Sequence, residues 1–270
     1  MPPLDLTRHT TPSKRPLPLG WAVLGALMTV VAWAALSSPA EAMLALQRLT
    51  TQCPDPGWLE LSWLGDTHLA LALFVAAALL QHRQALPTLL WSVLPAVILT
   101  HGVKLLLGWP RPAAVLPLDQ LHVIGDVLRH DSFPSGHTVT AFTLAGCWVL
   151  AAPPSRRWRA AAVALPLATA VGLSRVAVGA HWPLDVAAGA LLGWTVAWAG
   201  HAAARRWGPR PAGRLLGLGQ VTALLLGVTL FMRELPSIAQ PLAYALGSAT
   251  VAAALLTLTP GRRGPRSSSS

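Results

Sequence analysis

Charge is scarce in this chain. Asp, Glu, Lys and Arg make up 11% of its 270 residues, against about 25% in soluble domains. That scarcity argues against a soluble globular protein. It argues equally against a disordered chain, which combines few apolar residues with many charges, because 53% of the residues here are hydrophobic. Acidic groups are the scarcer kind: 10 Asp and Glu stand against 20 Lys and Arg, a formal net charge of +10. Such an excess can mark nucleic-acid binding, anionic lipid or membrane topology. No Lys/Arg stripe is interleaved with aromatics, which argues against a nucleic-acid partner. Cysteine is nearly absent, with Cys53 in a loop and Cys147 inside an apolar block. About ten residues into a helix, Cys147 sits roughly 15 Å deep. A disulfide, which needs Cα atoms within about 7 Å, is not expected. Neither number nor spacing supports a zinc site.

What is present is apolar sequence in long blocks, at 19–37, 67–81, 87–107, 138–152, 160–174, 184–204, 215–232 and 238–258. A spanning helix takes about 20 apolar residues. The blocks therefore predict eight transmembrane helices in an all-α polytopic bundle. The second, fourth and fifth are short, which burial within a bundle tolerates. The basic residues orient the bundle. With the N-terminus in the cytoplasm, alternation puts Arg8, Lys14, Arg15, Arg83, Arg156, Arg157, Arg159, Arg205, Arg206, Arg210, Arg214, Arg262, Arg263 and Arg266 on the inner side, 14 of the 20 Lys and Arg. The outer side receives Arg48, Lys104, Arg111, Arg129, Arg175 and Arg233, with nine of the ten acidic residues. Basic loops are retained in the cytoplasm during insertion, so the chain is expected in the inner (plasma) membrane. Lys14, Arg15, the first apolar run and Ala40-Glu41-Ala42 also resemble a signal peptide. The run exceeds a usual signal core, and an uncleaved anchor is expected.

The domain reading is a cytoplasmic segment 1–18, a core 19–204, a C-terminal helix pair within 205–258 and a Gly/Arg/Ser-rich, disordered tail 259–270. Residues 38–66 form either amphipathic pieces in the headgroup region or an ordinary loop on the bundle. A second long outer loop covers 108–137. Gly189 and Gly193 form a GxxxG pair, the mark of close helix packing.

Ionisable groups at membrane depth are costly and default to function. Here the topology gathers them at one outer face. Lys104 ends the third block, Arg111-Pro112 follows, Pro134-Ser135-Gly136-His137 opens the fourth, and Ser174-Arg175 ends the fifth. His181-Trp182-Pro183-Leu184-Asp185 opens the sixth. Lys104, Arg111 and Arg175 supply three cations, two of them forked, for phosphate oxygens. Ser135 and Gly136 place backbone N–H groups at the positive end of a helix. His181 and Asp185, four apart, share a helix face. A carboxylate on one imidazole nitrogen fixes the tautomer and makes the other a better nucleophile. This set suffices for phosphoryl transfer without a metal or other cofactor. Taken singly, Lys104 and Arg175 read as helix-end residues snorkelling to the headgroups, and either histidine as a satisfied core residue; only the constellation reverses that. His101, His122 and His130 lie near the motifs. His9, His68, His82 and His201 read as interfacial or surface residues, and Asp119, Asp126 and Asp131 as loop residues able to tune headgroup choice.

The three segments Lys104-x6-Arg111-Pro112, Pro134-Ser135-Gly136-His137 and Ser174-Arg175-x5-His181-x3-Asp185 resemble the signature of the type 2 phosphatidic acid phosphatase (PAP2) superfamily, over roughly residues 60–204. The membrane members of that family have a six-helix core, from which two further C-terminal helices depart. The resemblance implies His181 as the nucleophile that forms a phosphohistidine, Asp185 as its orienting carboxylate, and His137 as the acid that protonates the leaving oxygen and then helps activate water. It implies Lys104, Arg111, Ser135, Gly136 and Arg175 as holders of the phosphoryl oxygens, with no metal. The expected substrate is a phosphorylated lipid in the outer leaflet: a polyprenyl diphosphate such as undecaprenyl diphosphate, phosphatidate or phosphatidylglycerophosphate. The rivals are a phosphotransferase that hands the phosphoryl group to a second lipid, and a non-catalytic transporter or lipid-binding scaffold. The latter gives no reason for pairing His181 with Asp185.

Overall fold

The computed structural model describes residues 38–208 and 213–258, with Gly25. Among the described residues every regular element is helical. The expected segment 1–18, the expected first helix at 19–37 apart from Gly25, and the tail 259–270 lie outside the described residues. Each of the other seven apolar blocks is a helix.

Two short helices come first, α1 (Pro39–Thr50) and α2 (Asp55–Leu64). The stretch expected as interfacial pieces or a plain loop is therefore helical. It lies on the bundle: α1 and α2 both pack against α7 (Arg157–Ala177), and α1 also reaches α8 (Pro183–Trp207). A bend of 66° separates α2 from α3 (Thr67–Gln81). Asp66 caps α3, its Oδ1 accepting from the backbone N–H of His68 at 3.1 Å and of Leu69 at 3.4 Å. Two amide donors at the helix start, which have no partner within the helix, are thereby satisfied. Next come α4 (Ala85–Leu107) and the single turn α5 (Pro112–Val115). Gly108 ends α4 at φ 54°, a left-handed conformation that glycine adopts without a Cβ penalty. The turn swings the chain from Lys104 toward Arg111.

The centre of the bundle is α6 (Gly136–Ala151), which packs on α8, α7 and α4. At about 1.5 Å per residue it is ~24 Å long, less than the ~30 Å of hydrocarbon. Its position inside the bundle explains how it tolerates this: Phe142, Ala145, Cys147 and Val149 are all buried. Cys53 is exposed and Cys147 buried, both as free thiols, as the depth argument expects. The GxxxG pair sits where α8 crosses α6. A Cβ on Gly189 would lie 2.8 Å from the Ser135 carbonyl oxygen, and one on Gly193 2.5 Å from that of Val139. Glycine at both positions lets the two backbones meet.

The last helices, α9 (Arg214–Met232) and α10 (Gln240–Leu258), pair with each other and lie against α3. Leu79, Leu86 and Leu89 meet Leu215, Ala223 and Ala254 in one buried cluster. Outward-facing leucines run along α4, α9 and α10, including Leu94, Leu105, Leu106, Leu218, Leu225 and Leu256. So much exposed apolar surface is foreign to a soluble monomer. Among the described residues five helices are long and apolar enough to cross a membrane, and six if α2 and α3 form one bent span. The chain is an all-helical transmembrane bundle.

Candidate active site

The site is built at the end of the bundle where α4 finishes and α6 and α8 begin. Pro183 stands at the first turn of α8, where its missing N–H costs nothing. That start places Asp185 in the first turn with its side chain fully buried. His181 lies just before it in the α7–α8 connection. Its backbone N–H donates to the Arg175 carbonyl oxygen at 3.1 Å, so the end of α7 fixes the histidine's height.

The His181 ring is 3% exposed and has different neighbours at its two nitrogens. Nδ1 stands 3.4 Å from Asp185 Oδ2, and Nε2 stands 3.4 Å from an Arg111 Nη1. Burial, and after it the charges of Arg175, Arg111 and Lys104, hold the His181 pKa well below the usual histidine value. Both act against the protonated form of the ring.

Asp185 Oδ2 is shared. It accepts from Ser132 Oγ at 2.5 Å and from the backbone N–H of Trp182 at 2.8 Å as well as facing His181. Asp185 Oδ1 is buried, with no hydrogen-bond partner among the described residues. The Ser135 backbone N–H donates to the Asp185 carbonyl oxygen at 3.1 Å, which binds the start of α6 to the start of α8. The Ser135 side chain, fully buried, accepts from Thr138 Oγ1 at 2.9 Å. A Cβ added at Gly136 would meet only the Thr100 methyl, at 3.8 Å.

The three cations surround this core. Lys104 Nζ donates to the carbonyl oxygens of Asp131 and, at 3.5 Å, of Ser132. Arg111 Nε donates to the His130 carbonyl at 2.6 Å, and its Nη1 to that of Ala180 at 3.0 Å. Arg175 is buried near the end of α7; its Nη1 donates to Ser62 Oγ on α2, and its Nε has no partner among the described residues. His137 opens α6 beside the corner after α2, where a Cβ on Gly65 would stand 3.1 Å from its Cβ and 3.2 Å from its Cδ2. All eight residues singled out in the sequence thus meet at one end of the bundle.

The other histidines divide. His122 pairs with Asp55 at 2.9 Å on the surface. His130 enters through its backbone only, and His101 is exposed on α4. Ser132, Ser62 and Gly65 were not singled out, and all three touch the site. Ser132 carries no chemical signal beyond its place two residues before Pro134. Ser62 and Gly65 lie in a stretch whose helical form the sequence left open.

Comparisons with known proteins agree with this architecture. Residues 85–209 match the family model described as the PAP2 superfamily. The bacitracin transport permease protein BcrC of Bacillus licheniformis is 41% identical over 86 residues, 31% of this chain and 37% of that protein. The "Putative undecaprenyl-diphosphatase YbjG" of Escherichia coli is 32% identical over 142 residues, 46% of this chain and 68% of that protein. The chain thus spans about a third of the first relative and two thirds of the second. Among solved structures, a transmembrane PAP2 type phosphatidylglycerolphosphate phosphatase from Bacillus subtilis shares the fold with a TM-score of 0.50 and 21% identity, covering 69% of this chain and 96% of that one. With the matched region enclosing Lys104, Arg111, His137, Arg175, His181 and Asp185, the chain belongs to the PAP2 superfamily, as a membrane-embedded member.

Proposed function

We propose that this protein is a metal-independent lipid phosphatase that works through a phosphohistidine at the outer face of the plasma membrane. The observation that carries the reading is the His181 ring, held between Asp185 at Nδ1 and the Arg111 guanidinium at Nε2. With Nδ1 turned to the carboxylate, Nε2 keeps the lone pair. It attacks phosphorus beside a cation that neutralises the equatorial oxygens. The N–P bond forms, the P–O bond to the lipid breaks, and His137 gives its proton to the leaving oxygen. His137 then takes a proton from water as the water oxygen attacks the phosphohistidine, and inorganic phosphate departs. Asp185 balances the charge that develops on the His181 ring. Lys104, Arg111, Arg175 and the amides at Ser135 and Gly136 stabilise the five-coordinate phosphorus, the role that metal ions take elsewhere.

The substrate class we favour is a polyprenyl diphosphate, losing its terminal phosphate. YbjG, whose name is that of an undecaprenyl-diphosphatase, is matched over most of its length. Phosphatidate and phosphatidylglycerophosphate are the other lipids for the same site. The test is phosphate release from these three lipids in detergent micelles, with and without EDTA. Release that survives the chelator and is lost by several orders of magnitude in His181→Ala is expected. Full dependence on added Mg²⁺, or near-normal turnover in a folded His181→Ala, contradicts the reading. Transfer of the phosphoryl group to a second lipid in place of free phosphate would make the protein a phosphotransferase.

A further inference from the structure

The corner between α2 and α3 lies outside the region matched by the family, yet three contacts tie it to the end of the bundle that holds the site. Ser62 accepts from Arg175. Gly65 lies against His137: a Cβ there would sit 3.1 Å from His137 Cβ and 3.2 Å from Cδ2. Thr67 Oγ1 is 3.2 Å from Thr140 Oγ1, about one helical turn along α6 from His137. Between these stands Asp66, next in the chain to Gly65 and the N-cap of α3. Asp66 is in turn held by Arg233, which follows α9, with Nη1–Oδ1 at 2.8 Å and Nη2–Oδ2 at 3.1 Å. The guanidinium stands outward of the carboxylate, its side chain 35% exposed against 13% for Asp66.

We propose that Asp66 is a positioning residue for His137, and that α9 and α10 take part in the reaction by holding Asp66 through Arg233. This rests on the reading of His137 as the leaving-group acid. His137 opens α6 at the end of the bundle that also holds Arg175, Arg111 and His181. The two arginines are cations, and cations disfavour a protonated imidazole, whereas a nearby carboxylate favours it. Asp66 supplies that carboxylate, and the backbone corner next to it fixes the ring. Arg233 grips both carboxylate oxygens and so sets the orientation of the corner. The proposal gives the C-terminal pair, absent from the matched region, a task in the chemistry.

Two substitutions separate this role from a purely structural one. Asp66→Asn keeps a good helix cap and removes the charge; Asp66→Glu keeps the charge and gives a poorer cap. The readout is kcat/KM for alkyl phosphates, which need a protonated leaving group, and for nitrophenyl phosphate, which does not. Asp66→Asn is expected to lose about tenfold or more on the alkyl ester and far less on nitrophenyl phosphate, the skew of a weakened general acid. His137→Ala is expected to show the same skew more strongly, and Asp66→Glu to restore the normal ratio. Equal losses on both esters in Asp66→Asn, or a larger loss in Asp66→Glu than in Asp66→Asn, overturns the proposal. If Asp66→Asn alone does not fold, Asp66→Asn/Arg233→Gln removes the unpaired guanidinium and takes its place in the comparison. A skew in His137→Ala without one in the Asp66→Asn variants defeats this inference and leaves the acid role of His137 standing. Absence of the skew in His137→Ala defeats both.

Discussion

Asp185 Oδ2 faces three donors at once, and the balance among them sets how firmly His181 is held. Ser132 Oγ at 2.5 Å and the Trp182 amide at 2.8 Å are closer than His181 Nδ1 at 3.4 Å. Those two bonds keep the carboxylate in place before substrate arrives, so that the imidazole finds its partner already oriented. Ser132→Ala removes one of them from a group with no exposure. A hydrogen bond to a charged group contributes about 1.5–3 kcal/mol, so turnover is expected to fall roughly 10- to 100-fold. Steady-state kinetics on a folded variant checks this, and an unchanged rate would show that Trp182 alone suffices. At this scale the sequence was most legible where charge is rare. Lys104, Arg111, His137, Arg175, His181 and Asp185 stand out because ionisable groups near a membrane core are costly. Ser132 and Ser62 do not, because a serine costs little anywhere, and only the folded contact reveals what it holds.

The crossing of α6 and α8 is the element on which the geometry depends, since His137 begins one helix and Asp185 the other. Gly189 and Gly193 make that crossing close, and their spacing of four announced it in the sequence. Gly193→Ala places a methyl 2.5 Å from the Val139 oxygen and 2.9 Å from the Thr143 nitrogen, both backbone atoms with little freedom to yield. A loss of about 1–3 kcal/mol is expected from such overpacking. Gly217→Ala in α9, where an added Cβ meets nothing within 4 Å, is expected to be neutral or to gain up to about 1 kcal/mol. Thermal unfolding in one detergent compares the two. A Gly193→Ala variant as stable as Gly217→Ala would mean that the helices can separate freely. The helices α1 and α2 were less legible. Their apolar residues are spaced by packing on α7 and α8, and a short helix owes its stability to such tertiary contacts more than to its own propensity.

The whole molecule has two unlike ends. Gln47 binds the carbonyls of His122 and Val176, Arg111 that of Ala180, and Arg233 the carboxylate of Asp66, so segments far apart in sequence close one end. At the other end His82 reaches the Trp148 carbonyl, and Arg157 that of Leu150. Among the described residues the helices that run between these ends correspond to the apolar blocks from 67–81 to 238–258, which are legible in the sequence as long apolar runs. We propose that the second end faces the cytoplasm, the orientation implied by the 14-to-6 split of Lys and Arg along the sequence. In a variant with Cys53 and Cys147 replaced, an impermeant thiol reagent on intact cells is expected to label Asp126→Cys and to spare Ser155→Cys; the reverse pattern inverts the topology. On the proposed mechanism a buried histidine, two helix starts and a membrane face serve one covalent step. The most direct measurement is rapid quenching of the protein during turnover of a lipid diphosphate labelled in its terminal phosphate, followed by mapping of the bound label. The account predicts an acid-labile, base-stable phosphoryl group on His181, absent from His181→Ala. Label on any other residue, or full turnover with no protein-bound phosphate at any time, would contradict it.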